Sequence, residues 1–154
     1  MRCVTTEIEL TGWRIGQYNN YSFNSMAKFG DIYLGASRAG LSTLGGEQDN
    51  GMGIQSGFFI PLSDFGVQHN KSIFAVYLGV ESEGDLILTV SVDEVDPVEI
   101  EVPVSTRGFQ RKRIRVPGTL VGRYWSLGVS NPGGSYFSVE SIDALVKIMH
   151  SSHV

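Results

Sequence analysis

Residues 122–149 read GRYWSLGVSNPGGSYFSVESIDALVKIM, and this stretch decides the fold. In its first half every second side chain lies on one face of an extended chain, so Trp125, Leu127 and Val129 form an apolar face. Residues 131–135 combine a proline, which fixes φ, with glycines that reach positive φ, and they predict a turn. Apolar residues resume at Phe137 and alternate again from residue 142 to residue 148. The stretch predicts a β-hairpin with one buried face, with Trp125 and Phe137 as its largest core side chains.

The segments before this hairpin also have the pattern of strands. Residues 71–80 are apolar on both faces, which predicts a central strand covered on both sides. Pro61 is expected to end its strand or to place that strand at a sheet edge. Short strands separated by turns predict an all-β antiparallel β-sandwich, jelly-roll-like, over residues 53–154. Its strands before the hairpin are predicted at 54–60, 71–80, 86–92, 98–104 and 109–116.

Residues 1–52 are predicted to form an N-terminal β-meander that packs on the main domain or, as the alternative, on a neighbouring subunit. Its strand-like pieces are shorter and are rich in Tyr, Phe and small residues. The polar, glycine-rich segment 45–51 is predicted to be a loop between the two parts. The predicted strands of this part are 4–10, 18–23, 31–36 and 40–44.

Composition excludes several functional classes. With 12 Lys and Arg against 16 Asp and Glu, the net charge of −4 disfavours nucleic acid as a partner. Cys3 is the only cysteine, so no intrachain disulfide can form. No apolar run approaches the roughly 20 residues that span a bilayer, so we expect no membrane partner.

A metal site and a catalytic site are both disfavoured. Glu47, Asp49 and Asn50 offer oxygen ligands for Ca²⁺, but they lack the spacing of a calcium loop, and a solvated turn is the favoured interpretation. A hydrolase requires paired carboxylates or a nucleophile beside a base, whereas the aspartates here lie in predicted turns. The histidines lie in one loop and in the C-terminal tail. We therefore predict that the protein is not an enzyme and has no catalytic residue, cofactor or metal.

A predicted strand carries three arginines on one face. Arg111, Arg113 and Arg115 suit recognition of carboxylate or phosphate groups on a partner, because each guanidinium can donate two parallel hydrogen bonds. The alternative is a structural role, as a solvated face or as a charged edge strand that resists aggregation. In that case Glu99 and Glu101 on the preceding strand would pair with the arginines across the sheet.

Aromatic residues crowd the first quarter of the chain. Three interpretations stay open: packing between the meander and the sandwich, a platform on which sugars stack, or an oligomer interface. Arginine and aromatic residues are enriched at interface centres. We therefore predict a homo-oligomer whose candidate interface residues are Tyr18, Tyr21, Phe23, Tyr33, Arg111, Arg113 and Arg115.

Several short motifs carry a resemblance to a known family. They include YSFNS at 21–25, YLGA at 33–36, LGGEQDNG at 44–51, DFG at 64–66, YLG at 77–79 and GRYW at 122–125. With these motifs, residues 17–149 resemble the C-terminal part of structural, tail-associated proteins of tailed bacteriophages and prophages. The resemblance implies a virion component of the tail or tail tip, made in the host cytoplasm, that binds other virion proteins.

A looser pattern gives a second expectation. The lysine that begins the predicted central strand, followed later by Arg-Tyr-Trp, is similar to the pattern of galactose-binding jelly rolls. This likeness implies a carbohydrate-binding, receptor-binding module whose partner is a host glycan.

Overall fold

A computed structural model describes residues 4–9, 14–19, 22–46, 48–49, 51–93, 95–104 and 108–149, with only the backbone described for 4–9 and 14–19. Every strand pair in it is antiparallel, and the described residues contain no helix. The chain divides into two compact units, Met1–Glu47 and Gln48–Val154. The all-β antiparallel class predicted from the sequence is confirmed. The strands are β1 Val4–Glu9, β2 Arg14–Asn19, β3 Ser25–Phe29, β4 Ile32–Ser37, β5 Gly40–Leu44, β6 Gln48–Asp49, β7 Met52–Gly53, β8 Gly57–Ser63, β9 Lys71–Ser82, β10 Leu86–Val92, β11 Val98–Val102, β12 Gln110–Arg115, β13 Trp125–Ser130 and β14 Phe137–Ile148.

The first unit contains a β1–β2 hairpin and a three-stranded meander in the order β3-β4-β5. The strand predicted at 18–23 is wrong, because strands occupy 14–19 and 25–29 and leave Phe23 in the connection. The amide of Asn24 donates to the carbonyl of Ala36 at 2.9 Å, so pairing with β4 begins only beyond Phe23. The remaining two meander strands lie close to their predicted positions.

Residues 48–53 belong to the second unit, whereas the predicted boundary followed residue 52. The segment predicted as a loop contains β6, which pairs with β7 around Gly51 at φ +82°. A Cβ on Gly53 would lie 2.9 Å from the carbonyl oxygen of Gly133, so this hairpin rests against the turn before β14. Packing of the meander on the main domain stays a prediction.

The second unit is built on two sheets, in the orders β11-β10-β13-β8 and β12-β9-β14. Their facing side chains form one core cluster, so the two sheets make a β-sandwich. The jelly-roll-like arrangement stays a prediction. From the three-stranded sheet the core takes Ile73, Val76, Leu78, Val80 and Ile114, and from the four-stranded sheet Leu86, Leu88, Val90, Val92, Val102, Trp125, Leu127 and Val129.

The predicted hairpin at 122–149 is wrong, because its two arms, β13 and β14, lie in different sheets. Asn131 is buried at the point where the chain leaves β13. Its Oδ1 accepts a hydrogen bond from the amide of Ser56 at 2.5 Å, and its Nδ2 donates to the carbonyl of Ser135 at 2.6 Å. These bonds hold the chain at the start of β8 and redirect it into the opposite sheet.

Strand β14 does not bury the regular alternating face that the sequence predicts. Phe137, Val139 and Ile142 pack against the core, but the register shifts after Val139 and breaks the alternation. From there β14 runs on as an edge strand of its sheet, and Val146 and Ile148 stay 37% and 39% exposed.

Strand β9 lies at the centre of its sheet, as predicted, but not because both faces are covered. A register shift against β14 leaves Phe74 without a partner there, as in a β-bulge. The bulge changes which face is buried, so Ile73 lies in the core before it and Val76 after it. Phe74 itself is 42% exposed. The apolar pattern on both faces of residues 71–80 therefore reflects the bulge, after which the other face of β9 points into the core.

Pro61 lies inside β8, which is an edge strand as predicted. Ser63 pairs with Trp125 and Ile60 with Leu127, so Pro61 and Leu62 together oppose one residue of β13. This bulge accommodates a residue that has no N–H to donate to the ladder.

We predict that Trp125→Ala lowers the free energy of unfolding by about 3–5 kcal/mol. The indole is fully buried, and its Nε1 donates to the carbonyl of Gly122 at 3.1 Å. Urea unfolding measures the loss, with Tyr124→Ala, at an exposed neighbouring aromatic, as the matched control. A change of less than about 1 kcal/mol would place Trp125 outside the core.

We also predict that Asn131→Ala costs about 1–3 kcal/mol, because the buried side chain of Asn131 loses its hydrogen bonds to the amide of Ser56 and the carbonyl of Ser135. Ser135→Ala is the control, since Asn131 binds only the backbone carbonyl of that residue. Equal unfolding midpoints in urea for Asn131→Ala and Ser135→Ala would contradict the role assigned to the amide.

Candidate interaction site

Strand β12 forms one edge of the three-stranded sheet and points its arginines outward. Arg111, Arg113 and Arg115 are exposed, while Ile114 and Val116 face the core at 7% and 6% exposure. The structure therefore brings the three predicted arginines onto one solvent-facing surface. Their role in an interface stays a prediction.

The ring of Tyr77 lies between two of these arginines. The guanidinium carbons of Arg111 and Arg113 lie 5.1 and 6.0 Å from the ring centroid, within the range of cation–π attraction. Arg111 also approaches Asp143 on β14 at 3.5 Å, where both side chains are more than half exposed and the pair contributes little stability. Within the described residues, Arg113 and Arg115 form no ion pair.

The predicted pairing of these arginines with Glu99 and Glu101 is wrong. The chain changes sheets between β11 and β12, so the glutamates belong to the four-stranded sheet. There Glu99 lies opposite Thr89 on β10, and Glu101 opposite Ile87. Because Ile100 between them packs against the core, both carboxylates point outward from the other side of the sandwich.

Each outer face also carries an exposed aromatic ring seated on a glycine. A Cβ on Gly79 would lie 3.2 Å from the ring of Phe109, and a Cβ on Gly128 would overlap the ring of Phe59. Phe109 and Phe59 stay 51% and 65% exposed. The sequence interpretation missed Phe59, and the available signal was Gly128 inside β13.

The predicted aromatic residues of the first unit are only partly brought together. Phe23 is half-buried and lies across Gly35, where a Cβ would be 2.7 Å from its ring. Tyr33 is 55% exposed, with the Lys28 ammonium 5.4 Å from its ring centroid. Tyr21 lies outside the described residues, and Tyr18 lies in β2, where only the backbone is described.

The meander has one face without a charged residue in the described strands. The strand register places six apolar residues on this surface, the apolar meander face. Phe29 is 74% and Leu41 69% exposed, so the described residues leave these two side chains largely uncovered. A three-stranded sheet needs such a face to be packed. The apolar meander face consists of Ala27, Phe29, Ile32, Leu34, Ala36 and Leu41.

A polar network surrounds a buried lysine at one end of the sandwich. The sequence interpretation used this lysine only as part of the likeness to galactose-binding jelly rolls. Lys71 is 1% exposed, and its Nζ donates to the carbonyl of Arg123 at 2.5 Å. Burial lowers the pKa of Lys71 from its usual 10.5, an effect that Asp64 and Asp93 oppose and Arg123 reinforces.

The same network shapes a depression on the surface. The carboxylate of Asp93 accepts hydrogen bonds from the amides of Arg123 and Tyr124, the latter at 2.8 Å. Arg123 in turn forms an ion pair with Asp64 at 3.6 Å. Beside them lies a shallow depression of about 670 Å³, lined by Leu62, Asp93, Val95 and Tyr124.

The structure adds little on metals or membranes. Glu47 and Asn50 of the candidate calcium loop lie outside the described residues, and Asp49 lies in β6. Within the described ranges, no group of three or more His, Cys, Asp and Glu side chains is placed to hold a metal ion. No helix in that part of the chain is long and apolar enough to cross a membrane.

Comparison with known proteins adds no relative. No protein-family model, curated protein or solved structure matches this chain. The similarity to phage tail proteins therefore stays an expectation, and the functional conclusions below depend on the surfaces just described.

We predict that stability rises with pH in the window below 10.5, and that Lys71→Met removes this rise. The pKa of Lys71 is lower in the folded protein, so the unfolded chain binds more protons between the folded pKa and the unfolded pKa. Burying the charged lysine lowers the free energy of unfolding by its full amount at pH values below the folded pKa. This cost disappears as the pH rises to the pKa of the unfolded chain.

Urea unfolding at several pH values from about 7 to about 10 measures this slope. Lys147→Met, at an exposed position on β14, is the matched control. If the free energy of unfolding changes with pH equally in the wild type and in Lys71→Met, the pH dependence does not come from Lys71.

Proposed function

We propose that this protein is a structural component of a tailed-phage virion, in the tail or tail tip, that works through protein–protein contacts as a homo-oligomer. The observation that carries the proposal is the apolar meander face, which the described residues leave exposed. The sandwich in the second unit has its own core, but the described meander strands have only one buried position, Gly35.

The size of the uncovered surface supports assembly. Covering a large apolar side chain contributes roughly 1.5–3 kcal/mol, and Phe29, Ile32 and Leu41 are each about half or more exposed. Strands that cannot bury apolar surface do not offset the entropy of ordering the backbone. Contact with further copies removes this deficit, and it buries no charge because the apolar meander face carries none.

The assignment to a phage tail is supported by the sequence resemblance over residues 17–149. The residues of that resemblance act in folding: GRYW holds the buried Trp125, and Asn131 directs the chain between the sheets. They specify a scaffold. Such a scaffold suits a virion component, whose function is to hold its neighbours in place.

Carbohydrate binding is the second candidate. The depression beside Tyr124 favours it, because an aromatic ring that is 41% exposed stands next to the carboxylate of Asp93. Sugars stack on such rings and donate hydroxyl hydrogen bonds to carboxylates. A host glycan would be the ligand, and the protein would then be a receptor-binding part of the same particle.

We predict that the wild type is a symmetric oligomer and that Phe29→Ser with Leu41→Ser weakens its association. Sedimentation velocity over a range of concentrations measures the effect. The control is Val95→Ser with Tyr136→Ser, which replaces side chains of 61% and 62% exposure outside the meander. Retention of the strand circular dichroism signal shows that the sandwich still folds.

A wild type that stays monomeric at high concentration and binds a sugar on a glycan array would overturn the structural proposal in favour of the second candidate. Mass spectrometry of purified phage particles tests the location. The protein must be present there at a copy number set by the symmetry of the tail.

A further inference from the structure

The two outer faces of the sandwich carry opposite charges at the same edge. Arg113 and Arg115 point outward from β12, the edge strand of the three-stranded sheet. Glu99 and Glu101 point outward from β11, the edge strand of the four-stranded sheet. β11 and β12 follow each other in the chain and make a limited contact where the edges of the two sheets meet. One edge of the molecule is therefore basic on one face and acidic on the other.

These four side chains have no ion-pair partner within the described residues. The first arginine of the row differs, because Arg111 has an ion-pair partner in Asp143 at 3.5 Å. This leaves a basic pair, Arg113 and Arg115, and an acidic pair, Glu99 and Glu101. The core lies between the two pairs, so they cannot meet within one chain.

The two pairs match in geometry. Residues two apart on a strand lie on the same face at a separation of about 6.8 Å, and this holds for both pairs. An exposed aromatic ring belongs to each face, Phe109 on the basic side and Phe59 on the acidic side. A surface that combines a charged pair with a fixed aromatic ring has the composition of a protein interface.

The partner that presents an acidic pair of this spacing is a second copy of this chain. We infer that the basic face of one copy packs on the acidic face of the next, with Arg113 and Arg115 against Glu99 and Glu101. This inference rests on the proposed function, since it names the surfaces through which the oligomer forms. Exposed ion pairs add little affinity but favour one orientation, so the charges select which faces meet.

The contact joins two different surfaces, so it is heterologous, and successive copies stack with the same polarity. Such an interface produces a ring when the rotation closes and a filament when it does not. It does not produce an isologous two-fold dimer. The apolar meander face remains free to add contacts in the same assembly.

A charge-reversal cycle tests the pairing. The basic-pair variant is Arg113→Glu with Arg115→Glu, and the acidic-pair variant is Glu99→Arg with Glu101→Arg. Each alone is expected to weaken self-association on the order of tenfold, because like charges then face each other. An equimolar mixture of the two variants, and the fourfold variant that carries both reversals, should associate again.

Matched controls change the same charges elsewhere. Lys28→Glu with Arg38→Glu, in the first unit, is the control for the basic pair, and Glu83→Arg with Glu140→Arg is the control for the acidic pair, all at exposed positions. Thermal melts verify folding, which surface substitutions change little. Raising NaCl from about 50 mM to about 500 mM should weaken the wild type and leave a neutral variant, with serine at all four positions, unchanged.

Any one of the following outcomes overturns the inference. If the wild type is an oligomer but neither reversal weakens it, or the mixture fails to recover association, the paired faces are wrong and the proposed function stands. An isologous two-fold dimer seen by electron microscopy also excludes the stacking. If the basic-pair variant instead loses binding to a sulfated polysaccharide with association unchanged, the arginines bind an acidic glycan. A monomeric wild type contradicts the proposed function itself.

Discussion

The buried amide of Asn131 is the interaction on which the architecture of the second unit depends. Through its bonds to Ser56 and Ser135 it ties the start of β8 to the end of β13 and sends the chain into the opposite sheet. Without that change of sheet, β14 would pair with β13 and leave β9 without a neighbour on one side. Apolar side chains of both sheets, with Trp125 at 0% exposure, then close the core.

The sandwich also leaves apolar surface uncovered. Phe59 and Phe109, both more than half exposed, are held in place over glycines, and in the first unit the described residues leave the apolar meander face exposed. Rings fixed in this way lose little conformational freedom when a partner covers them, which favours association. The core of the second unit is closed by its own side chains, whereas these surfaces stay exposed, and this difference supports the proposed assembly.

The change of sheet between β11 and β12 also determines how charge is distributed. If those strands were neighbours in one sheet, Glu99 and Glu101 would neutralise the arginines and the surface would be inert. Placing them in opposite sheets separates the charges by the thickness of the core. The chain then presents a basic face and an acidic face, which gives the molecule a direction along which copies can stack.

The sequence by itself determined the all-β class, most strand positions in residues 53–149 and the burial of Trp125, because alternation and turn residues are local properties of the chain. It also placed Arg111, Arg113 and Arg115 on one outward face. Only the tertiary structure decided which strands share a sheet, since the same turn residues serve a hairpin and a connection between sheets, and a buried amide distinguishes the two. The phase change at Phe74 and the separation of Glu99 from the arginines likewise arise from partners distant in sequence, which periodicity cannot reveal.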